Sequence, residues 1–479
     1  MSGGDGLDPG RLKTRALIAL ADLDPATLGA ARWTGLAGMS RPDVHLIEAF
    51  TFDDGGAIAI AGFGPEAVPE AGSLADRAIR LTVPLAGPDP WAGLSRIAQD
   101  GGSVAGLMGG RLIGHPGRAA AARAAAEGAR RTPENRITTR LSPGDQSHTS
   151  VIIDERSMLK LYRRLAPGTN PEAEILAALD VIGGAPVPDW VGAVEYMSRD
   201  GSASTTIAIE QDYVTGSDDV FETVADELAA WLTGTGPRAA TDVLGATGRA
   251  TARLHLAMGR MSRSGAAAPG VPPDIGRHAW LEAAELTLDA AIAALRTVDP
   301  DLATQVTDAA PAIRRALAPL GKPVPGTTVQ RIHGDLHLGQ MLRTGDEVLI
   351  VDFEGDPARD PLTRREPGPR LRDIAGLLRS IDHVARSGRR RALALGATPI
   401  DPALDASVDA WIEGGRKDFL AAYGSELREP DGLADRALLR ALEVEKELGE
   451  LVYAARFLPA WLYAPRAGLA ALLGRSPVR

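Results

Sequence analysis

Along the first hundred positions the apolar residues come in short runs broken by turn formers. "DVHLIEAFTFDDGGAIAIAGF" (43–63) sets two β-rich runs around Asp53-Asp54-Gly55-Gly56 and predicts a hairpin. The rest of this stretch reads as short strands and turns. "GRAAAARAAAEGARR" (117–131) is rich in Ala and Arg and reads as a surface helix or linker with a solvated face. A β pattern returns in "TSVIID" and "SMLKLYRRL", which flank the polar turn Asp154-Glu155-Arg156, and again in "STTIAIEQDYV". From about residue 218 the apolar spacing changes to three and four, as in "VFETVADELAAWL", "ATGRATARLHLAM" and "HAWLEAAELTLDAAIAALRTV". Only "VLIVDFE" interrupts the helical pattern, which resumes at "LRDIAGLLRSIDHVA" and runs to about residue 473. The predicted order is a β-rich cap over 1–105, a β-rich lobe over 106–215 and a mainly helical lobe over 216–479. No repeat of solenoid period is present.

Composition narrows the function. A chain of 479 residues exceeds one ordinary core, so two or three subdomains are expected. A net charge of −10 and a pI near 5.4 argue against nucleic acid as the main partner, since phosphate backbones need a basic face. The basic "SGRRR" (387–391) is too short to reverse this and reads as a solvated helix end. The absence of cysteine removes disulfides and thiolate metal sites and fits a reducing cytoplasm. "MSGGDGLDPGRLK" has no apolar signal-peptide core, and no run of about 20 apolar residues could span a bilayer. A cytoplasmic protein is expected, monomer or homodimer, with small molecules as partners and neither membrane nor nucleic acid.

The candidate chemistry gathers in "RIHGDLHLGQ" (331–340) and the following "VLIVDFEGD". No G-x-x-x-x-G-K-[ST] occurs, and "GGSVAGLMGG" (101–110) follows no convincing strand, so neither a P-loop nor a dinucleotide fingerprint is supported. His333 and His337, four apart around Asp335, could ligate a metal, but a structural role is the better reading of such a pair. Asp335, Gln340 five residues on and Asp352 twelve further form a set that phosphoryl transfer uses. One carboxylate orients and deprotonates the attacking hydroxyl, while an amide oxygen and a second carboxylate hold Mg²⁺ against the triphosphate of ATP. Asp335-x-x-x-x-Gln340 followed by Asp352-Phe353-Glu354 parallels the Asp-x-x-x-x-Asn and Asp-Phe-Gly of protein kinases. Lys160, at the end of an apolar run, is the candidate for the phosphates, with Glu174 early in the following predicted helix as its partner. No glycine-rich loop precedes Lys160. "GDQSHTS" (144–150) takes that place, so Ser147 and Thr149 hydroxyls or backbone amides would hold phosphate.

These motifs together resemble the actinobacterial maltokinases and their glucosamine-kinase relatives, a branch of the aminoglycoside- and choline-kinase-like superfamily. The resemblance runs from roughly residue 140 to the C-terminus, through "DQSHTSVII", "LKLYRRLAPGTNPEAEI", "HGDLHLGQ", "VDFEGDP", "LRDIAGLLRSIDHVA" and "EKELGELVYAARFLPAWL"; "ARWTG" (31–35) is similar to the entry of the family's N-terminal cap. It implies an α+β, eukaryotic-protein-kinase-like two-lobed fold with an extra N-terminal cap. It also implies Asp335 as catalytic base, Gln340 and Asp352 on Mg²⁺ with Glu354 assisting, and Lys160 on ATP phosphates. Gln211, Asp212 and Tyr213 of "EQDY" would form the hinge over adenine, and His333 would support the loop.

The acceptor is read from the last long helix. Maltokinases carry a polar run of the type E-A-R-x-R-P-x-W there. Here the run is "YAARFLPAW", with Ala454 and Leu458 in place of polar groups and Arg456 and Trp461 retained, which argues against a disaccharide chosen by paired hydrogen bonds. Upstream, Glu443, Glu447 and Glu450 share one helical face, read either as a solvated acidic face or as one in which some of the carboxylates meet an ammonium. The expectation is an ATP- and Mg²⁺-dependent kinase of a small amino sugar, glucosamine at its 6-hydroxyl, with Asp335, His337, these glutamates, Arg456 and Trp461 near the acceptor. A maltokinase making maltose 1-phosphate is the runner-up, an aminoglycoside- or choline-type kinase the third reading, and a non-catalytic scaffold the rival from another class.

Overall fold

The computed structural model describes residues 8–21, 44–63, 79–127, 137–142, 148–263, 273–322, 329–356, 363–396, 402–428 and 435–474. Ser147 and "ARWTG" lie outside the described residues. The chain divides into two compact units, Met1–Val181 with Pro188–Thr215, and Ile182–Val187 with Gly216–Arg479.

The first unit is built on two antiparallel sheets. Helix α1 (Pro9–Ala21) places Leu12 and Ala16, one turn apart, against Ala49, Ala57 and Ala59 of the hairpin β1 (Val44–Thr51) and β2 (Ala57–Phe63). The hairpin forms about the expected turn, with Thr51 opposite Ala57. Next come β3 (Ile79–Pro84), α2 (Trp91–Asp100), β4 (Ser103–Ala105), β5 (Arg111–Pro116), α3 (Arg118–Glu127) and β6 (Thr139–Leu141). They are followed by β7 (His148–Ile153), β8 (Ser157–Tyr162), β9 (Arg164–Leu165), α4 (Pro171–Ile182), β10 (Trp190–Met197) and β11 (Ser204–Asp212). One sheet has the order β1-β2-β3-β9 and the other β4-β5-β10-β11-β8-β7-β6. Between β7 and β8, Asp154 and Glu155 both take positive φ (51° and 52°), a pair whose twist matches the flanking strands.

Helices α1 and α2 flank the strands expected over the first hundred residues and were not foreseen there. In α2 the buried Trp91, Leu94, Ile97 and Ala98 recur at three and four, and Gly101 closes the helix in the left-handed conformation (φ 72°). The helix is short and bracketed by Pro88, Pro90, Gly101 and Gly102, so turn signals dominate its sequence. The boundary expected at residue 105 falls inside the β4–β5 hairpin of the larger sheet. The glycine-rich "GLMGG" is the turn of that hairpin. The buried Glu48 carboxylate of β1 accepts the N–H groups of Ala49 (3.0 Å), Met108 (2.6 Å) and Gly110 (2.8 Å), so these amides are satisfied by the chain's own acid.

The second unit opens with β12 (Asp218–Asp219) and the helices α5 (Val220–Leu232), α6 (Asp242–Arg263), α7 (Pro273–Val298) and α8 (Pro300–Leu317). Then come β13 (Val329–Gln330), the hairpin β14 (Met341–Thr344) and β15 (Glu347–Ile350), β16 (Gly368–Pro369), and α9 (Leu371–Ala394), α10 (Pro402–Leu427), α11 (Arg436–Phe457) and α12 (Tyr463–Leu472). Asp219, Asp299 and Asp435 cap α5, α8 and α11 by accepting the N–H three residues on. Helix α9 is buried for most of its length, charged positions included: Asp373, Arg379, Asp382 and His383 all lie inside. Among the described residues no helix is long and apolar enough to cross a membrane.

Candidate active site

In the first unit Lys160 sits on β8, a central strand, with its Nζ 2.8 Å from Glu172 Oε1; both side chains are buried. Tyr162 OH donates to Glu172 Oε2 at 2.9 Å. The partner is therefore Glu172 and not the expected Glu174. Asn170 Oδ1 accepts the Glu172 N–H (2.7 Å) and sets the start of α4 there, which turns Glu172 inward while Glu174 is only half-buried.

Strand register sorts the other expected nucleotide contacts. Ser150 lies opposite Lys160, so Thr149, opposite Leu161, points to the other face of the sheet, where its oxygen accepts from Arg163 Nε at 3.0 Å. That placement corrects Thr149 as a phosphate holder beside Lys160. Gln211 lies opposite Met158 and shares the face of Lys160, whereas Asp212, opposite Ser157, faces away and pairs with Arg123 of α3. Tyr213 follows the strand and donates its N–H to Arg156 O (2.9 Å). Glu210, buried on the far face, accepts from Ser157 and from Gln99 Nε2 (2.8 Å), and burial pushes its carboxyl up.

In the second unit "RIHGDLHLGQ" is an extended loop. Gly334 takes φ 87°, and an added Cβ would lie 3.5 Å from Gly355 Cα of the "VDFEGD" loop. Asp373 of α9 ties the first loop down: it accepts the N–H groups of His333 and Gly334, each at 2.9 Å, and His255 Nε2 at 3.1 Å. His333 Nε2 donates to Val351 O (3.0 Å) and its ring meets Phe353 at 4.7 Å, so it joins the two loops as a structural group. Lower down, Leu338 N–H donates to Ser380 Oγ (3.0 Å), and Gly376 lets α9 approach, since a Cβ there would stand 2.5 Å from Leu336 O. His337 Nδ1 accepts the Gly339 N–H at 3.1 Å, and burial holds this imidazole below its ordinary range.

Gln340 and Asp352 come together, with Nε2 2.8 Å from Oδ2. Asp352 follows β15 at φ 69°, a left-handed conformation uncommon outside glycine and tolerated by aspartate. A carboxylate oxygen of Asp352 and one of Glu354 lie within 4.8 Å of each other. These are hard oxygen donors, the ligand type that Mg²⁺ takes.

Asp335 is met by a residue the sequence reading passed over. Lys446 of α11 donates to Asp335 Oδ1 at 2.9 Å and lies 3.2 Å from Glu450 Oε1. Burial works to raise the Asp335 carboxyl, but the Lys446 ammonium and the neighbouring histidines outweigh it and hold the group below its ordinary range. Lys446, which burial alone would lower, is pushed well up by Asp335, Glu450 and Asp356. Its one signal in the sequence was scarcity: only five of the 52 basic residues are lysines, and this one stands among glutamates.

For Glu443 and Glu447 neither reading of this face holds. Glu443 and Glu447 are buried in ion pairs, not solvated and not open to an acceptor. Arg379 Nη2 is 2.7 Å from Glu443 Oε1 and its Nη1 3.3 Å from Glu447 Oε1; Arg416 Nη1 also reaches Glu443 (2.7 Å), and His383 Nε2 reaches Glu447 Oε2 (3.0 Å). The cations come from α9 and α10, whose inward charges the helical pattern alone did not reveal. Glu450 is left beside Lys446. Trp461 packs edge-on against His383 at 5.9 Å, and Arg456 is exposed.

The profile of the phosphotransferase enzyme family matches residues 138–433. The chain belongs to this family. The phosphotransferase is 32% identical over 333 residues to glucosamine kinase of Mycolicibacterium smegmatis, covering 69% of this chain and 78% of that protein. It is 31% identical over 338 residues to glucosamine kinase of Streptacidiphilus jiangxiensis, covering 69% and 72%. A solved glucosamine kinase in complex with glucosamine, ADP and inorganic phosphate is similar at TM-score 0.67 and 26% identity, over 92% of this chain and 98% of that one. The protein-kinase-like fold implied by the sequence motifs is thereby established for the phosphotransferase.

Proposed function

We propose that the protein transfers the γ-phosphoryl group of ATP to the 6-hydroxyl of glucosamine, with Mg²⁺ as cofactor. The observation that carries this reading is the identity with glucosamine kinases over more than two thirds of the chain, together with the likeness to a glucosamine kinase holding glucosamine and ADP. In this reading Lys160, held by Glu172, meets the phosphates, and Gln211, on the same sheet face, lies toward the base. Gln340, Asp352 and Glu354 hold Mg²⁺, which when bound neutralises phosphate charge. Asp335 orients the acceptor hydroxyl and takes its proton as the oxygen–phosphorus bond forms and the bond to the β-phosphate oxygen breaks, releasing ADP.

The acceptor end supports a cationic sugar. Asp335, Glu450 and Asp356 act on one ammonium, Lys446, and His337 is held toward its neutral form, so negative charge is left over for a substrate ammonium to balance. Glu450 takes the role first given to the three glutamates together. The test is ADP release with Mg-ATP against glucosamine, glucose, N-acetylglucosamine and maltose. Glucosamine should exceed glucose by ~10-fold or more, since one charge-assisted bond contributes roughly 1.5–3 kcal/mol. Maltose leading the panel would replace this acceptor with that of a maltokinase.

A further inference from the structure

We propose that Lys446 is the positioning residue of the catalytic base: its ammonium fixes Asp335 Oδ1, so that Oδ2 is the oxygen presented to the acceptor hydroxyl. The inference rests on the reading of Asp335 as base. Among the described residues Asp335 makes one side-chain hydrogen bond, the 2.9 Å bond from Lys446 to Oδ1. The Asp335 N–H meets His333 Nδ1 only at 3.4 Å, so the backbone gives the carboxylate little orientation.

Lys446 has a rigid mount. It lies on α11 between Glu443 and Glu447, which Arg379, Arg416 and His383 hold from α9 and α10. Rotation of α11 would break buried ion pairs, and such a break is costly because it strands charges away from water. Glu450, one turn further, is a second partner of the ammonium (3.2 Å) and limits where Nζ can sit. A loose phosphoryl transfer asks more of orientation than of basicity, so a base held ionised and aimed by a fixed cation suits it.

The groups around the pair are His333 and His337 on the loop, Asp356 after it, and Glu450 on α11. Of these, Glu450 and Asp356 are acids, and burial holds His337 below its ordinary range. Removing Lys446 therefore leaves Asp335 among carboxylates and partly buried, and its pKa rises.

The experiment compares Lys446→Met and Lys446→Arg with wild type across pH, on whichever acceptor of the panel wild type turns over. Lys446→Met should lower kcat by ~10-fold or more and move the acid limb of kcat upward by about one pH unit or more, with KM for ATP unchanged. Lys446→Arg should return the limb toward wild type, since the charge is kept. If Lys446→Met only raises KM for the acceptor, with kcat and the limb unmoved, Lys446 binds substrate and the proposal falls. Should Lys446→Met not fold, Glu450→Gln serves: with its rival removed, the ammonium favours Asp335 and the limb moves down, whereas an upward shift overturns the proposal. An acceptor other than glucosamine would revise the substrate while leaving this test intact.

Discussion

Replacing Asp373 by alanine tests whether the loop of Asp335 is held from α9. The fully buried carboxylate accepts two backbone N–H groups, from His333 and Gly334, and the ring of His255. Each stranded donor costs about 1–3 kcal/mol, so three stranded donors, with partial relief by water at the ring, give a loss of about 3–6 kcal/mol. For a unit of this size that corresponds to a fall in Tm on the order of 10 °C. Activity should fall further than stability requires, because the loop carrying Asp335 is released at both Gly334 and His333. Differential scanning fluorimetry and kcat at a temperature well below both midpoints are the assays. Asp373→Asn adds a check by pH. Burial works to raise the Asp373 carboxyl, but His255 and the other donors hold it below its ordinary value. Its stabilisation is therefore complete above about pH 4 and is lost as pH falls through the depressed folded value, a loss the asparagine variant should not show. A midpoint for Asp373→Ala within about 2 °C of wild type, together with wild-type kcat, would refute the reasoning.

Asp335→Asn should leave folding and ATP binding nearly intact and cut turnover by at least ~10², read by single-turnover kinetics; near-wild-type turnover removes it as base. Gln340→Ala and Asp352→Ala should each raise the Mg²⁺ concentration needed for half-maximal rate, and an unchanged Mg²⁺ titration rejects the metal assignment. Glu447→Gln should destabilise by about 3 kcal/mol, since it strands the buried His383 charge while Arg379 keeps Glu443. Burial works to lower His383, but Glu447 outweighs it and raises the group, so the pair's stabilisation is present below about pH 6.5 and is lost as pH rises through the higher folded value. The Tm difference between pH 6 and pH 9 should shrink in Glu447→Gln, and an undiminished difference counts against the pair.

Beyond the first hundred residues the passage from strands to helices was legible because period-2 and period-3.6 patterns differ strongly, and the loop residues Asp335, Gln340 and Asp352 because they lie close in sequence. What escaped was set by tertiary partners. Glu172 and Glu174 both stand in the first turn of α4, and only the Asn170 bond decides which faces β8. Thr149 was one residue out of phase with Lys160, an error that strand alternation turns into the opposite face. Glu443 and Glu447 looked solvated because their partners Arg379, His383 and Arg416 lie 27 to 68 residues away. Lys446 lies in "EKELGEL", but its meeting with Asp335 spans 111 residues and no local pattern encodes it.

The Glu48 clamp bears on how this protein could exchange parts with its relatives. Its carboxylate comes from β1, while two of the three amides it receives belong to the β4–β5 turn about 60 residues later. Gly106 and Gly110 also leave room for it, since a Cβ at either would come within 3 Å of the carboxylate. Acid, turn amides and glycines thus depend on one another. A chimaera joined near residue 105 takes the acid from one parent and the turn from the other, and a parent without the matching group would leave a buried polar group unanswered. A join before β1 or after β5 keeps Glu48, the turn amides and the two glycines on one parent chain.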